Sequence, residues 1–196
     1  MLKVGILAIQ GGIEEHEAHL RQLGVDTVQI KKPGQLANCH GIILPGGEST
    51  AIGKTLLETS IAQEIIEKSK VGMPIWGTCA GMILLAKEIE NQTENYLKLL
   101  DITVHRNGYG RQIDSFKTEA IIPAISKEPI PLVFIRAPYV TRVGSDVKVL
   151  LQLDGKIVAV QQNNILGTSF HPELTDDLRF HEYFLKMVRK FALEKE

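Results

Sequence analysis

Cysteine is scarce: Cys39 and Cys79 are the two in a chain of 196 residues. Two cysteines cannot form a disulfide framework, and these lack zinc-type spacing, so the chain fits a reducing, cytoplasmic setting. An excess of charge is missing too. Lysine and arginine number 22 against 23 aspartate and glutamate, a formal net charge of -1. That excludes the basic footprint of a nucleic-acid binder and the polybasic patch of a membrane-surface protein. No stretch approaches the ~18 consecutive apolar residues of a membrane span. The apolar opening, MLKVGILAIQGG, is short and runs into acidic Glu14 and Glu15, not a small-residue cleavage site. It reads as a buried strand rather than a signal peptide. Repeats, low-complexity tracts and linkers are absent as well. What remains is an ordinary globular composition, 44% hydrophobic and 23% charged, in a chain long enough to bury roughly 70% of its unfolded surface. One domain over 1–196 is expected.

Strand and helix patterns alternate through the first half. Residues 4–9 are near-continuously apolar, as in a strand buried on both faces. Gly11-Gly12 leads into a helix to Leu23, where Ile13, His16, Leu20 and Leu23 recur at helical spacing before Gly24. Residues 26–30 and 41–44 read as strands. Ser49 is the expected cap of a helix to Leu57, and Ser60 of one to Lys70. Residues 74–76 read as another strand and 79–86 as another helix. The alternation predicts a three-layer α/β/α fold of the flavodoxin-like kind, a mostly parallel open sheet with helices on both faces. Between 100 and 160 the texture changes. Short β-type stretches at 102–105, 116–121, 132–135, 149–152 and 157–162, separated by Gly, Pro and Asp, predict an antiparallel portion. Residues 165–170 read as the last buried strand and 175–193 as a closing amphipathic helix.

The sharpest local signal is Gly77-Thr78-Cys79-Ala80-Gly81, between a strand and an apolar helix. It has the G-x-nucleophile-x-G form of a nucleophile elbow, with cysteine in place of serine. A sharp strand-to-helix turn strains the nucleophile's backbone, and flanking glycines avoid clashes. The following helix offers N–H groups and a positive dipole end to a thiolate, and the Ala80 N–H is placed to donate to an oxyanion. Taken alone, the pattern also fits a buried cysteine in a glycine-flanked turn.

A nucleophilic cysteine needs a base, and the base an orienter. His171, in Gly167-Thr168-Ser169-Phe170-His171-Pro172-Glu173, lies just past a predicted strand end, where ligands bind in open α/β sheets. Glu173 is placed to accept its other ring N–H, with Pro172 stiffening the turn between them. His16, His19, His40, His105 and His181 have no comparable context and read as structural or solvated. Leu44-Pro45-Gly46-Gly47-Glu48-Ser49-Thr50 marks another strand end. It lacks the G-x-x-x-x-G-K-[ST] spacing of a phosphate loop, and its glycines suit a second oxyanion donor at Gly47, opposite Ala80. Glu48 reads equally as a carboxylate for a substrate amino group and as a solvated acid at a helix start. Cys39 reads as a small loop or core residue.

P-G-G-E-S-T, G-T-C-A-G and H-P-E resemble the class I, or triad, glutamine amidotransferases, whose glutaminase domains use Cys, His and Glu in that order. The likeness is greater to one branch, the glutaminase subunits of pyridoxal 5'-phosphate synthases. It extends to Leu7-Ala8-Ile9-Gln10-Gly11-Gly12 with His16, to Arg106-Asn107-Gly108-Tyr109-Gly110-Arg111-Gln112 with Ser115-Phe116, to Phe134-Ile135-Arg136-Ala137-Pro138, and to 176–184. Gly108-Tyr109 stands where a small residue and Phe are usual, and Gly11-Gly12 where Gly-Ala is usual.

The resemblance implies Cys79 as nucleophile, His171 as base and acid, and Glu173 as orienter. It implies a pocket for L-glutamine lined by Gly47, Glu48, Ser49, Arg106, Ile135 and Arg136. Free glutamine carries an α-carboxylate and an α-ammonium, so its site wants at least one guanidinium and one acceptor. Arg136, between Ile135 and Ala137-Pro138, is poorly placed for a solvated helical face. The implied reaction is hydrolysis to L-glutamate and ammonia, with no metal and no cofactor. The implied partner is the synthase subunit, in a hetero-oligomer that passes ammonia through an internal channel to build pyridoxal 5'-phosphate from sugar phosphates. Weak activity of the isolated chain is expected, with the oxyanion loop ordered only on docking. Gln10 either fixes the Gly46-Gly47 loop or senses the partner. Two alternatives stand beside this: another triad enzyme, such as a γ-glutamyl hydrolase or the glutaminase of imidazole glycerol phosphate synthase, and a non-catalytic thiol-sensing module of the same fold.

Overall fold

Ten strands join in one sheet in the computed structural model, which describes residues 1–106 and 115–195. The first half runs β1 (Lys3–Leu7), α1 (Ile13–Gln22), β2 (Asp26–Ile30), β3 (Gly41–Leu44), α2 (Ser49–Glu58), α3 (Ile61–Lys70), β4 (Ile75–Thr78) and α4 (Ala80–Leu85). Then come β5 (Ala86–Ile89), β6 (Leu100–His105), β7 (Ser115–Ala120), β8 (Ile130–Ile135), β9 (Tyr139–Val143), β10 (Lys148–Leu153), β11 (Lys156–Gln162), β12 (Ile165–Thr168) and α5 (Arg179–Leu193).

The sheet order is β2-β1-β3-β4-β12-β11-β9-β6-β5, with β10 paired to β11. Neighbours from β2 to β12 are all parallel. Beyond β12 the pairings of β11, β9 and β6 turn antiparallel, and β7 with β8 forms a separate antiparallel pair. The expected mostly parallel sheet and antiparallel portion are both present.

Side-chain alternation explains the layering. In β3, Ile42 and Leu44 join the apolar layer that holds Ile52, Leu56 and Ile65 of α2 and α3. Ile43 faces the opposite way, toward Trp76, Leu20 of α1 and Phe180, Phe184 and Val188 of α5. Both faces are covered, so β3 and β4 are buried at every residue.

Several element bounds differ from expectation. The strand expected at 74–76 continues to Thr78, and the helix expected at 79–86 stops at Leu85 because Ala86 opens β5. No glycine or proline separates α4 from β5, and Ala-Lys-Glu is poor strand composition, so neither pattern marked the change. β9 was likewise unforeseen. The last strand ends at Thr168, and a 3-10 turn at Pro172–Leu174 precedes α5. Ser60 occupies its helix start with φ 61° and no side-chain cap bond. Among the described residues no helix is long and apolar enough to cross a membrane.

For the site, the register matters most. Leu44 pairs with Gly77, and Thr78 with Thr168. The segments leaving β3, β4 and β12 therefore emerge side by side at the carboxyl edge of the parallel sheet.

Candidate active site

Cys79 bridges β4 and α4 with φ 51° and ψ -109°, a strained conformation for a residue with a side chain. The elbow is tight enough to need both its glycines. A Cβ on Gly77 would lie 2.4 Å from the Gly81 backbone, and one on Gly81 would lie 1.9 Å from the Leu44 carbonyl oxygen. The Cys79 N–H donates to the Thr168 carbonyl at 2.8 Å, and its carbonyl accepts from the Met82 N–H at 3.1 Å. The thiol is 7% exposed and donates to the Ile135 carbonyl at 3.8 Å. Ala80 is the first residue of α4, where helix geometry gives the N–H no intrahelical acceptor.

His171 is tied to β8 by its N–H, which donates to the Val133 carbonyl at 2.8 Å. Its Nδ1 pairs with Glu173 Oε1 at 2.8 Å, and its side chain hydrogen-bonds the Cys79 sulfur. With Nδ1 engaged by the carboxylate, Nε2 is the nitrogen left for sulfur. Burial opposes a charge on His171, but hydrogen bonds and electrostatic attraction to Cys79 and Glu173 outweigh it and push its pKa up to about 10. Burial likewise pushes the Glu173 carboxyl up. Its neighbours His16 and His171, the latter also through its hydrogen bond, more than offset this and hold it below the usual range.

The loop after β3 comes within contact of the same imidazole: a Cβ on Gly46 would lie 2.7 Å from His171 Cε1 and 3.4 Å from Cys79 Cβ. Glu48, not Ser49, caps α2, accepting from the Thr50 and Ala51 N–H groups at 3.0 and 2.8 Å. An acidic side chain accepts two helix-end donors where a serine hydroxyl accepts one, and Ser49 is already inside the helix. The Thr50 N–H chiefly, with Ala51 and Arg106, holds the Glu48 carboxyl below its usual range. Arg106 Nη2 meets Glu48 Oε1 at 3.2 Å, and Nη1 donates to Thr50 Oγ1 at 3.3 Å. Gln10 Oε1 accepts from the Glu48 N–H at 3.0 Å, which ties the loop directly to the segment after β1.

A cavity of about 320 Å³ opens over this assembly, lined by Gly47, Glu48, Ser49, Cys79, Ala80, Ile83, Arg106 and Arg136. Ile135 contributes its carbonyl to the thiol rather than a side chain to the lining, and Arg136 turns through φ 45° to reach the cavity. A larger groove of about 700 Å³ beside β7 and β8, bordered by Lys117, Leu132 and Asp177, contains none of these groups. The Asn107–Gln112 part of the arginine-led motif lies outside the described residues.

Three functional-looking histidines escaped the sequence pattern. His16, His19 and His181 are buried and linked ring to ring beside Glu173. His16 recurs at helical spacing with Ile13, Leu20 and Leu23 and read as structural or solvated. The signals available were its place in the resemblance beside Gly11-Gly12 and a second histidine three residues on.

Chemically, the arrangement supplies a thiol at a helix start, an imidazole bridging it to a buried carboxylate, and a cavity with one carboxylate and two guanidinium groups. The chain matches the model of the SNO glutamine amidotransferase family over residues 6–190. It is 55% identical to "Pyridoxal 5'-phosphate synthase subunit PdxT" of Clostridium kluyveri over 96% of this chain and 100% of that protein. To the protein of the same name from Clostridium beijerinckii it is 56% identical, over 94% and 97%. A crystal structure described as a glutamine amidotransferase superposes with a TM-score of 0.90 at 41% identity, covering 95% of this chain and 98% of the other. PurLQS from Thermotoga maritima, at 18% identity and a TM-score of 0.70, shares the fold over 97% of this chain and 99% of its own.

Proposed function

The chain belongs to the SNO glutamine amidotransferase family, and we propose that it is the glutaminase subunit of a pyridoxal 5'-phosphate synthase, acting as a single domain. It hydrolyses L-glutamine to L-glutamate and ammonia and hands the ammonia to the synthase subunit within a hetero-oligomer. The observation that carries this reading is the hydrogen-bonded line from Cys79 through His171 to Glu173 at the edge of a cavity that also holds Glu48, Arg106 and Arg136.

The steps follow from the geometry. The thiolate is the attacking form, and an adjacent imidazolium favours it. Sulfur adds to the side-chain amide carbon, and the carbonyl π pair moves onto oxygen. The N–H groups of Ala80 and Gly47 hold that oxyanion; losing one such donor costs on the order of 10²–10³ in rate. The His171 imidazolium gives its Nε2 proton to the amide nitrogen, the C–N bond breaks, and ammonia leaves behind a γ-glutamyl thioester. Neutral His171 then takes a proton from water as the oxygen adds to the thioester carbon. Collapse expels the thiolate and glutamate and restores the ion pair. Glu173 keeps the Nδ1–H oriented throughout. Ser49 lines the pocket, and Arg106, Arg136 and Glu48 face the α-carboxylate and α-ammonium of the substrate. Gln10 couples the β1 segment to the oxyanion loop. The reduced thiol this chemistry needs fits a cytoplasmic enzyme.

Ammonia release is the test. The chain mixed with a pyridoxal 5'-phosphate synthase core is expected to release ammonia from glutamine, with weak release by the chain alone. Cys79→Ala is expected to lose the activity in both settings. Equal release by the parent and Cys79→Ala excludes the proposed nucleophile.

A further inference from the structure

Glu173 directs one oxygen, Oε1, at His171. Its other oxygen, Oε2, is buried without a hydrogen-bond partner, and His16 Nε2 faces it at 3.5 Å. Thr78 Oγ1 stands 3.5 Å from the same nitrogen. On the far side of the ring, His16 Nδ1 lies 2.8 Å from His181 Nε2, and His181 Nδ1 lies 3.1 Å from His19 Nδ1. The two nitrogen–nitrogen distances are hydrogen-bond separations, and among the described residues no cluster is suited to hold a metal ion. Trp76 packs edge-on against both His16 and His181.

Each nitrogen–nitrogen contact needs one proton, and a neutral imidazole carries one. An ionised Glu173 calls for the His16 proton on Nε2. His16 Nδ1 is then an acceptor, so His181 donates from Nε2 and in turn accepts at Nδ1 from the His19 Nδ1–H. Both nitrogen–nitrogen contacts are then satisfied with all three rings neutral, and the His16 Nε2–H faces Oε2. The opposite polarity aims a lone pair at the carboxylate and leaves Oε2 orphaned. The charged and titratable groups facing the chain are Glu173 and His171 beside the 3-10 turn, Glu15 on α1, and Asp177 ahead of α5 next to His19. Burial lowers the pKa of both rings, in His16 against the pull of Glu173 and in His181 together with its neighbours His16 and His19, and so favours their neutral forms. The backbone leading into α1 approaches the same side chain: a Cβ on Gly12 would lie 2.9 Å from Glu173 Cγ.

We propose that His16 is a positioning residue for Glu173, and that His181 and His19 dictate which His16 nitrogen carries the proton. The carboxylate is thereby held with Oε1 on His171, so that His171 Nε2 stays on Cys79. The need for that alignment rests on the glutaminase reading; the imidazole chain itself does not.

The direct test is nitrogen NMR of the full-length chain with labelled histidine. His16 and His181 are expected neutral and protonated at Nε2, and His19 at Nδ1. A His16 proton on Nδ1, or a charged His16 ring at neutral pH, overturns the proposal whatever the variants do. Activity with the synthase partner adds a second arm. His16→Phe is expected to lower kcat about 10- to 100-fold with KM nearly unchanged. His16→Gln, which keeps a donor at similar reach, is expected to recover most of that loss. The low-field His171 Nδ1–H signal is expected in the parent and in His16→Gln, and broadened or lost in His16→Phe. Equal kcat for Phe and Gln, or an unchanged His171 signal in His16→Phe, contradicts positioning. Expected tautomers in a parent chain that releases no ammonia sink the glutaminase reading and leave this one standing.

Discussion

The two walls of the cavity are built on opposite principles. On one, Cys79 is 7% exposed, with Glu173 buried behind it at 4%, and backbone bonds to Thr168 and Val133 fix the elbow and the His171 segment. On the other, Glu48 and Arg106 meet in an ion pair whose side chains are 55% and 31% exposed. An exposed pair of this kind contributes about 0–1 kcal/mol, whereas removing one partner from a buried charge pair costs about 3–5 kcal/mol. The contrast separates two duties. On the proposed function, the groups that react are locked in a buried setting. The groups proposed to recognise a zwitterion hold each other loosely, so that the α-ammonium and α-carboxylate of glutamine would replace them at small cost.

Substitution on the two walls should therefore give kinetically different losses. The largest is expected from His171→Gln, on the order of 10⁴ or more in kcat with the structure retained, measured as ammonia release with the synthase partner. A loss confined to KM would erase the distinction between the walls. Arg106→Met is expected to raise KM about tenfold, leave kcat within a few-fold, and change stability by less than about 1 kcal/mol. A fall in kcat equal to that of His171→Gln would place Arg106 among the reacting groups.

A smaller effect separates the walls by pH. The pKa of His171 is raised in the folded chain to about 10, against an unfolded value of about 6.5. Its stabilisation is thus fully present below about pH 6.5 and is lost as pH rises toward 10. The stability difference between the parent and His171→Gln, from denaturant titrations, is expected to be flat at low pH and to shrink across that window. A difference that grows with pH would reverse the sign. Arg106→Met should show no such slope.

The buried wall was the more legible in sequence. Gly77, Cys79 and Gly81 announce the elbow because close backbone packing leaves glycine as the only fit, and His171-Pro172-Glu173 is a local motif whose hydrogen bond spans two residues. The parallel half of the sheet was legible for a similar reason: β3 and the start of β4 are apolar because both faces are covered. The exposed wall was less so. Serine is a preferred cap and glutamate is not, so nothing local favoured Glu48, whose carboxylate meets two helix-end N–H groups only in the folded chain. The His16–His181–His19 chain was not legible, since α1 and α5 meet only in three dimensions and a histidine in an apolar stripe has no local mark. β5 was missed because its pairing with β6 supplies order that Ala-Lys-Glu does not, whereas the Tyr-Val-Thr-Arg-Val of β9 did carry a strand signal that went unread.

The central claim is that Cys79 forms a covalent intermediate with the side-chain carbonyl of glutamine. Rapid acid quenching of the chain turning over glutamine with its synthase partner, followed by peptide mass spectrometry, tests it directly. A γ-glutamyl group on the peptide bearing Cys79, absent from Cys79→Ala and accumulating further when the water step is slowed, is the predicted result. Full ammonia release with no acyl group on Cys79, and undiminished in Cys79→Ala, would contradict it.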